Sequence, residues 1–175
     1  MEKECWYEIE LGDIAAYSAA YTFYYKKMYN YGRKLTDNTA LIEDAIQAVF
    51  ITLWKKRASL ADIHSPHNYL FFSFRNYIFK EKTKQQRIFF PANEPEFAID
   101  NFMINQEADA ALSQRLKIAL SVLTSRQREA VYLRFYEALS YEETAEVMNN
   151  TVKSTYKLIA RSLMKLKEVF PIEKG

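Results

Sequence analysis

Cysteine occurs once in the 175 residues, at Cys5, so neither an intramolecular disulfide nor a cysteine-built zinc cluster is available. Glycine is almost as scarce. Gly12, Gly32 and Gly175 are isolated from one another and form no phosphate-cradling loop, which argues against a nucleotide-binding enzyme. His64 and His67 lie three apart, but no neighbouring carboxylate or thiol set completes a metal site, so neither metal nor cofactor is expected. Paired carboxylates at metal-like spacing and a Cys/His nucleophile set are also missing, and the chain does not read as an enzyme. No apolar run reaches membrane-spanning length, and the first ten residues hold four glutamates. A cytoplasmic chain with no signal peptide and no membrane insertion is therefore expected. Nothing alternates in the manner of a strand, so the fold class is all-α.

What is present is charge that changes along the chain. The net charge of +2 says little by itself. Residues 91–111, however, contain Glu94, Glu96, Asp100, Glu107 and Asp109 with no Lys or Arg, whereas residues 112–175 carry eleven Lys or Arg against seven Asp or Glu. With Pro91 and Pro95 and no clear periodicity, the acidic stretch reads as a flexible linker. It divides the chain into a helical domain over 1–90, a linker over 91–111 and a second helical domain over 112–175.

The most informative stretch is residues 139–167. Ser140 and Glu143 make a capping box that opens a helix with Tyr141, Thr144, Ala145 and Met148 on one face. Asn149 tolerates left-handed backbone, Thr151 supplies a second N-cap, and a second helix starts at Val152. Its expected buried stripe is Val152, Tyr156, Ile159, Leu163 and Leu166. Its other face carries Lys153, Ser154, Lys157, Leu158, Arg161 and Lys165, with no acidic residue anywhere between Val152 and Lys167. Short helix, tight turn and basic second helix form the pattern of a helix-turn-helix that enters the major groove. A surface helical hairpin with a solvated cationic face shares the same periodicity. Upstream, Thr124 and Gln127 form another capping box. It opens a helix expected to turn Val131 and Phe135 inward and to offer Arg126, Arg128 and Arg134 to phosphate.

In the first half, residues 13–31 place Ile14, Tyr17, Tyr21, Tyr24 and Met28 at helical spacing, with Gly32 suited to a C-cap. The next helix, residues 40–57, buries Leu41, Ile42, Ala45, Ile46, Val49, Phe50, Leu53 and Trp54. Its far side is Asp44, Gln47, Ala48, Ile51 and Lys55, where Ile51 points toward water, as on a helix prepared to dock on another helix. After a loop over 58–68, Ser65 and Pro66 begin a helix in which Tyr69, Phe71, Phe72, Phe74, Tyr77 and Phe79 alternate with Arg75, Asn76, Lys80, Lys82, Lys84 and Arg87. Aromatic faces that stack bases and cations that hold phosphates suit single-stranded nucleic acid; a core helix with a basic end is the plainer reading.

The order of these parts resembles the sigma-70 family of bacterial RNA polymerase sigma factors, and in particular its extracytoplasmic-function group in the Bacteroidetes variant. DAIQAVFITLW at 44–54 is similar to the group's core-binding stretch, YLFFSFRN at 69–76 to the segment leading into promoter melting, and VKSTYKLIARSLMKLK at 152–167 to its recognition helix. The resemblance implies a sigma2-like bundle and a sigma4-like helix-turn-helix. Asp44, Gln47, Ala48, Ile51 and Lys55 would contact RNA polymerase core, chiefly the β′ coiled coil, with β as the second subunit engaged. His64, His67, Asn68, Arg75, Asn76, Lys80, Lys82 and Lys84 would capture and melt the −10 element of promoter DNA. Arg126, Arg128, Lys153, Ser154, Lys157, Leu158, Arg161 and Lys165 would serve the −35 element, and an anti-sigma factor would regulate the chain. Lys80 and Thr83 stand where an aspartate and an arginine are frequent, and Tyr156, Lys157 and Leu158 where Lys-Ser-Arg is, so no promoter sequence carries over. A two-domain helix-turn-helix regulator that binds duplex DNA without polymerase shares most of these features.

Overall fold

A computed structural model describes residues 3–63, 65–89, 96–99 and 110–169. Every regular element among them is helical, and the chain forms two compact units, residues 1–93 and 94–175.

The first unit opens with α1 (Lys3–Glu10) and α2 (Ile14–Leu35). Gly12 sits at a φ of +91°, where the absence of a Cβ lets the chain reverse, and Asp13 then caps α2 by accepting from the Ala16 amide at 2.9 Å. The inner line of α2 is Ala16, Ala20, Tyr24, Met28, Tyr31 and Leu35. This corrects the expected stripe: Ile14 is 70% exposed, and Tyr17 and Tyr21 lie at the edge, their rings 5.9 and 5.0 Å from that of Phe50. The two alanines take the innermost positions and the bulkier rings are displaced sideways. Gly32 is no cap either. It lies inside the helix, where a Cβ would come within 2.9 Å of Ile42 and of Phe74, and Thr36 ends the helix instead.

Asn38 caps α3 (Thr39–Lys55) through the Leu41 amide, and the whole expected stripe from Leu41 to Leu53 is buried, with Trp54 half-buried beneath the Arg57 guanidinium. A 3-10 turn (Arg57–Asp62) replaces part of the expected loop before α4 (Pro66–Phe89), whose start is held by the Asn68 amide donating to Ser65 Oγ. Leu70, Phe71, Phe74 and Ile78 are fully buried against the other helices, each burial contributing about 1.5–3 kcal/mol.

The second unit contains α5 (Ala110–Ser121), α6 (Ser125–Val131), α7 (Tyr141–Val147) and α8 (Val152–Val169). Both capping boxes are present with both halves made. Beyond α6 the helix widens into a π turn over Tyr132–Tyr136, closed by the Glu137 amide donating to the Tyr132 carbonyl. That wider turn shifts the phase of the helix. Tyr132 and Leu133 point inward, while Phe135, expected inside, is 53% exposed and Val131 is half-buried. Ala138 then takes a φ of +58° and Leu139 is buried.

Asn149 has the expected left-handed backbone at φ +48°, and Thr151 caps α8 by accepting from the Ser154 amide. The stripe of α8 is rotated from the expected one. Thr155, Ile159 and Ser162 are buried, whereas Val152, Tyr156 and Leu163 are 39%, 48% and 42% exposed. Small hydroxyl residues bring α8 close to its neighbours, and both of their hydroxyls are hydrogen-bonded. Asn150 Nδ2 donates to Thr155 Oγ1 at 3.3 Å, and Ser162 Oγ donates to the Leu158 carbonyl at 2.7 Å.

Candidate nucleic-acid and partner interfaces

On α8 the residues outside the buried stripe are cationic. Lys153, Ser154, Lys157 and Arg161 are exposed, Leu158 is half-buried, and an open cleft of about 340 Å3 is lined by Arg126, Asn150, Ser154, Lys157, Leu158 and Arg161. Two consecutive turns of α8 thus aim Lys157 and Arg161 at the same opening that Arg126 flanks from the first turn of α6. Asn150, read in the sequence only as part of a turn, also lines this cleft. Its neighbour Asn149 was the residue with an evident backbone role, and the second asparagine carried no separate signal.

Three further cations expected here are otherwise engaged. Arg128 is buried at 8% exposure, and its guanidinium donates to the carbonyls of Phe97 at 2.8 Å and Leu123 at 2.9 Å and to Ser125 Oγ at 3.2 Å. Burial lowers its pKa, an effect partly offset by the charge of Glu96. Its guanidinium is thus taken up by acceptors within the second unit. Lys165 is half-buried, its ammonium near Gln127 Oε1 and the Val122 carbonyl. Arg134 donates to the Leu139 carbonyl and lies 5.0 Å from the centre of the Tyr141 ring.

In the first unit, Asp44, Gln47, Ile51 and Lys55 are exposed and Ala48 is half-buried, as the spacing on α3 required. Ile51 keeps 51% of its surface in water, beside the small Ala48 and framed by polar residues.

On α4 the expected residues divide between two faces. Asn68, Phe71, Arg75, Ile78 and Lys82 recur at spacings of three and four on the inner side. Asn68 and Arg75 are buried, Arg75 lies 4.1 Å from the Phe79 ring centre, and Lys82 donates to the Leu35 carbonyl at 2.7 Å. His67 turns inward too, its Nδ1 3.2 Å from the Tyr24 hydroxyl and its ring against Phe71. These four are therefore tied into the unit, and their positions on the inward line decide their environment before their charge does. Tyr69, Phe72, Asn76 and Lys80 share the opposite side and retain solvent access, and Lys84 is exposed beside Glu81. His64, Arg87 and the chain between Phe90 and Pro95 lie outside the described residues or side chains.

Two family descriptions match the chain, "Sigma-70 region 2" over residues 20–88 and "Sigma-70, region 4" over residues 113–166. The chain belongs to the sigma-70 family. It is a sigma factor in which region 2 is followed by region 4, with only residues 89–112 between the matched segments. Sigma factors are transcription initiation factors.

Among solved structures, the fold is similar to the sigma factor RpoE of Bartonella quintana in complex with the anti-sigma factor NepR, at TM-score 0.66 and 20% identity over 92% of this chain and 100% of that one. It is also similar to CnrH in complex with the cytosolic domain of CnrY, at TM-score 0.57 and 16% identity over 97% of both chains. No curated protein matches the sequence. No helix among the described residues is long and apolar enough to cross a membrane.

Proposed function

We propose that this sigma factor directs core RNA polymerase to its promoters by dividing three tasks among three helix faces. The exposed side of α3, Asp44, Gln47, Ile51 and Lys55 with Ala48 beneath them, docks on the β′ coiled coil of the core enzyme. The outer side of α4, Tyr69, Phe72, Asn76 and Lys80 with Lys84, holds unstacked bases of the −10 element. Unstacking costs on the order of a few kcal/mol per step and is offset by capture of the bases on the aromatic faces. The α8 face reads the −35 element in the major groove, with Arg126 on the flanking phosphates.

The observation that carries this reading is the cleft where Arg126, Lys157 and Arg161 converge beside Asn150 and Ser154 on a helix whose outward residues include no acid before Glu168. Cations that meet at one opening without salt-bridge partners on their own helix suit phosphate and base edges. Regulation comes from an anti-sigma factor that covers one or both DNA faces, in keeping with the partners present in the RpoE and CnrH complexes. The chain acts in the cytoplasm, where polymerase is, and carries no catalytic chemistry of its own.

Run-off transcription of genomic fragments with cognate core polymerase tests the reading. Discrete products that appear only when the chain is added are the expected result. An identical product pattern with and without it would overturn the proposal.

A further inference from the structure

Phe97 belongs by sequence to an acidic tie, yet only 1% of its surface reaches solvent. Its ring lies 5.7 Å from that of Tyr132, and its carbonyl accepts from Arg128 Nε at 2.8 Å across 31 residues of sequence. Arg128 is held for this purpose by its two other donors, which bind Leu123 and Ser125 at the start of α6. A buried aromatic side chain with its own carbonyl held by a fixed guanidinium is how a short peptide ligand is bound, and here the ligand is part of the same chain. Resting on the sigma-factor reading above, we propose that Phe97 and Arg128 form a clip that ends the tie between the two units at residue 96, making Phe97 a determinant of the spacing between the −10 and −35 elements.

The consequence is one of reach. An extended chain advances about 3.3–3.6 Å per residue, so the eight steps from Phe89 to Phe97 span at most about 29 Å. Counted instead to the start of α5 at Ala110, twenty-one steps would span about 70–75 Å. B-DNA rises about 3.4 Å per base pair, so the clip removes more than a helical turn of freedom. It also raises the effective concentration of each DNA-binding unit at the other's site. The chain from Phe97 to Ala110 then starts and ends on the second unit, so its length does not enter the reach between the units.

That asymmetry can be measured on the full chain with two insertion variants, each carrying twelve Gly/Ser residues, after Asn93 in one and after Asn105 in the other. In run-off transcription from a promoter that this chain uses, remade with spacings up to four base pairs longer or shorter, the parent and the Asn105 insertion should share one narrow profile. The Asn93 insertion should keep longer spacings within about threefold of the optimum where the parent loses about tenfold. Phe97→Ala should make the Asn105 insertion behave like the Asn93 one. Identical profiles for the two insertions overturn the proposal.

Fluorescence transfer between dyes at Glu43→Cys and Glu146→Cys, in a Cys5→Ser background without DNA or polymerase, reads the clip separately. The mean distance should lengthen by on the order of 10 Å for the Asn93 insertion and stay unchanged for the Asn105 insertion. Equal lengthening in both rejects the clip. Absence of transcription from every template would instead defeat the sigma-factor reading, and the fluorescence result would then stand alone on the clip.

Discussion

The ring of Tyr156 lies flat on that of Tyr141, with centroids 3.9 Å apart and planes 12° from parallel. This stack joins the first turn of α7 to the first turns of α8 at the solvent-facing edge of the buried contact made by Thr155 and Ile159. Aromatic pairs contribute about 0.5–1.5 kcal/mol beyond the area they bury. Tyr156→Ala should therefore lower the stability of the second unit by about 1–2 kcal/mol, and Tyr156→Phe by less than about 0.5 kcal/mol. Urea unfolding of both variants against the parent measures it, and equal losses in the two would mean that the hydroxyl, not the stack, matters.

Gly32 gives a prediction with opposing terms. Alanine is preferred over glycine within a helix by about 1 kcal/mol, but overpacking a filled core costs about 1–3 kcal/mol. The added Cβ would come within 2.9 Å of Ile42 and Phe74, both fully buried, so the steric term should win. Gly32→Ala is expected to destabilise by about 1 kcal/mol and Gly32→Val by more. A thermal melt in which Gly32→Ala gains stability would show that the three helices can separate at little cost.

These two sites also show what the sequence made legible. Boundaries set by local chemistry were readable, since the capping boxes at Thr124 and Ser140, the cap at Thr151 and the turn at Asn149 depend only on residues within a few positions. The broad stripe of α3 was readable because its apolar residues leave one choice of face. On α8 and α2 the choice was not forced. Thr155, Ser162, Ala16 and Ala20 are small, and periodicity of large apolar residues passes over the very positions where helices cross most closely. The π turn at Tyr132 has no local signature, and so Phe135 was assigned to the wrong side. The Phe97–Arg128 pairing spans 31 residues and was beyond any pattern read along the chain.

The α3 face should separate binding from folding. Ile51 and Asp44 are exposed, so Ile51→Arg and Asp44→Arg should alter stability by no more than about 0.5 kcal/mol. Both should nevertheless abolish pull-down of core polymerase by the tagged chain. Undiminished pull-down would favour a regulator that binds duplex DNA on its own.

Tyr132 supplies a pH dependence. Burial, and after it the neighbouring Glu137 carboxylate, raises the phenol far above its ordinary pKa near 10, and its hydroxyl lies 3.1 Å from Glu137 Oε1. Because the folded-state value is raised, the stabilisation is fully present below about pH 10. Above that, the unfolded chain ionises where the folded one cannot, and stability should fall by about 1.4 kcal/mol per pH unit from this group alone. Tyr132→Phe should be less stable at neutral pH through loss of the hydrogen bond, yet decline less steeply between pH 10 and 11.5. Parallel decline of the two proteins in pH-dependent urea titrations would assign the alkaline loss to other tyrosines.

Substitutions of cations in the second unit should give two distinct outcomes according to burial. Lys157→Ala and Arg161→Ala remove exposed cations, so stability should hold while −35 binding weakens. If the side chain meets phosphate, the slope of log affinity against log salt falls by about one; if it reaches a base edge, about 1–3 kcal/mol is lost at one promoter position. Arg128→Ala should do the reverse. It strands the Phe97 and Leu123 carbonyls, costing about 2–4 kcal/mol of folding stability, with the salt slope unchanged at temperatures where the variant remains folded. Fluorescence anisotropy on labelled promoter duplex across a salt series distinguishes the cases. A lowered slope for Arg128→Ala together with an unchanged one for both Lys157→Ala and Arg161→Ala would place the phosphate-binding surface on α6 and remove α8 from the groove.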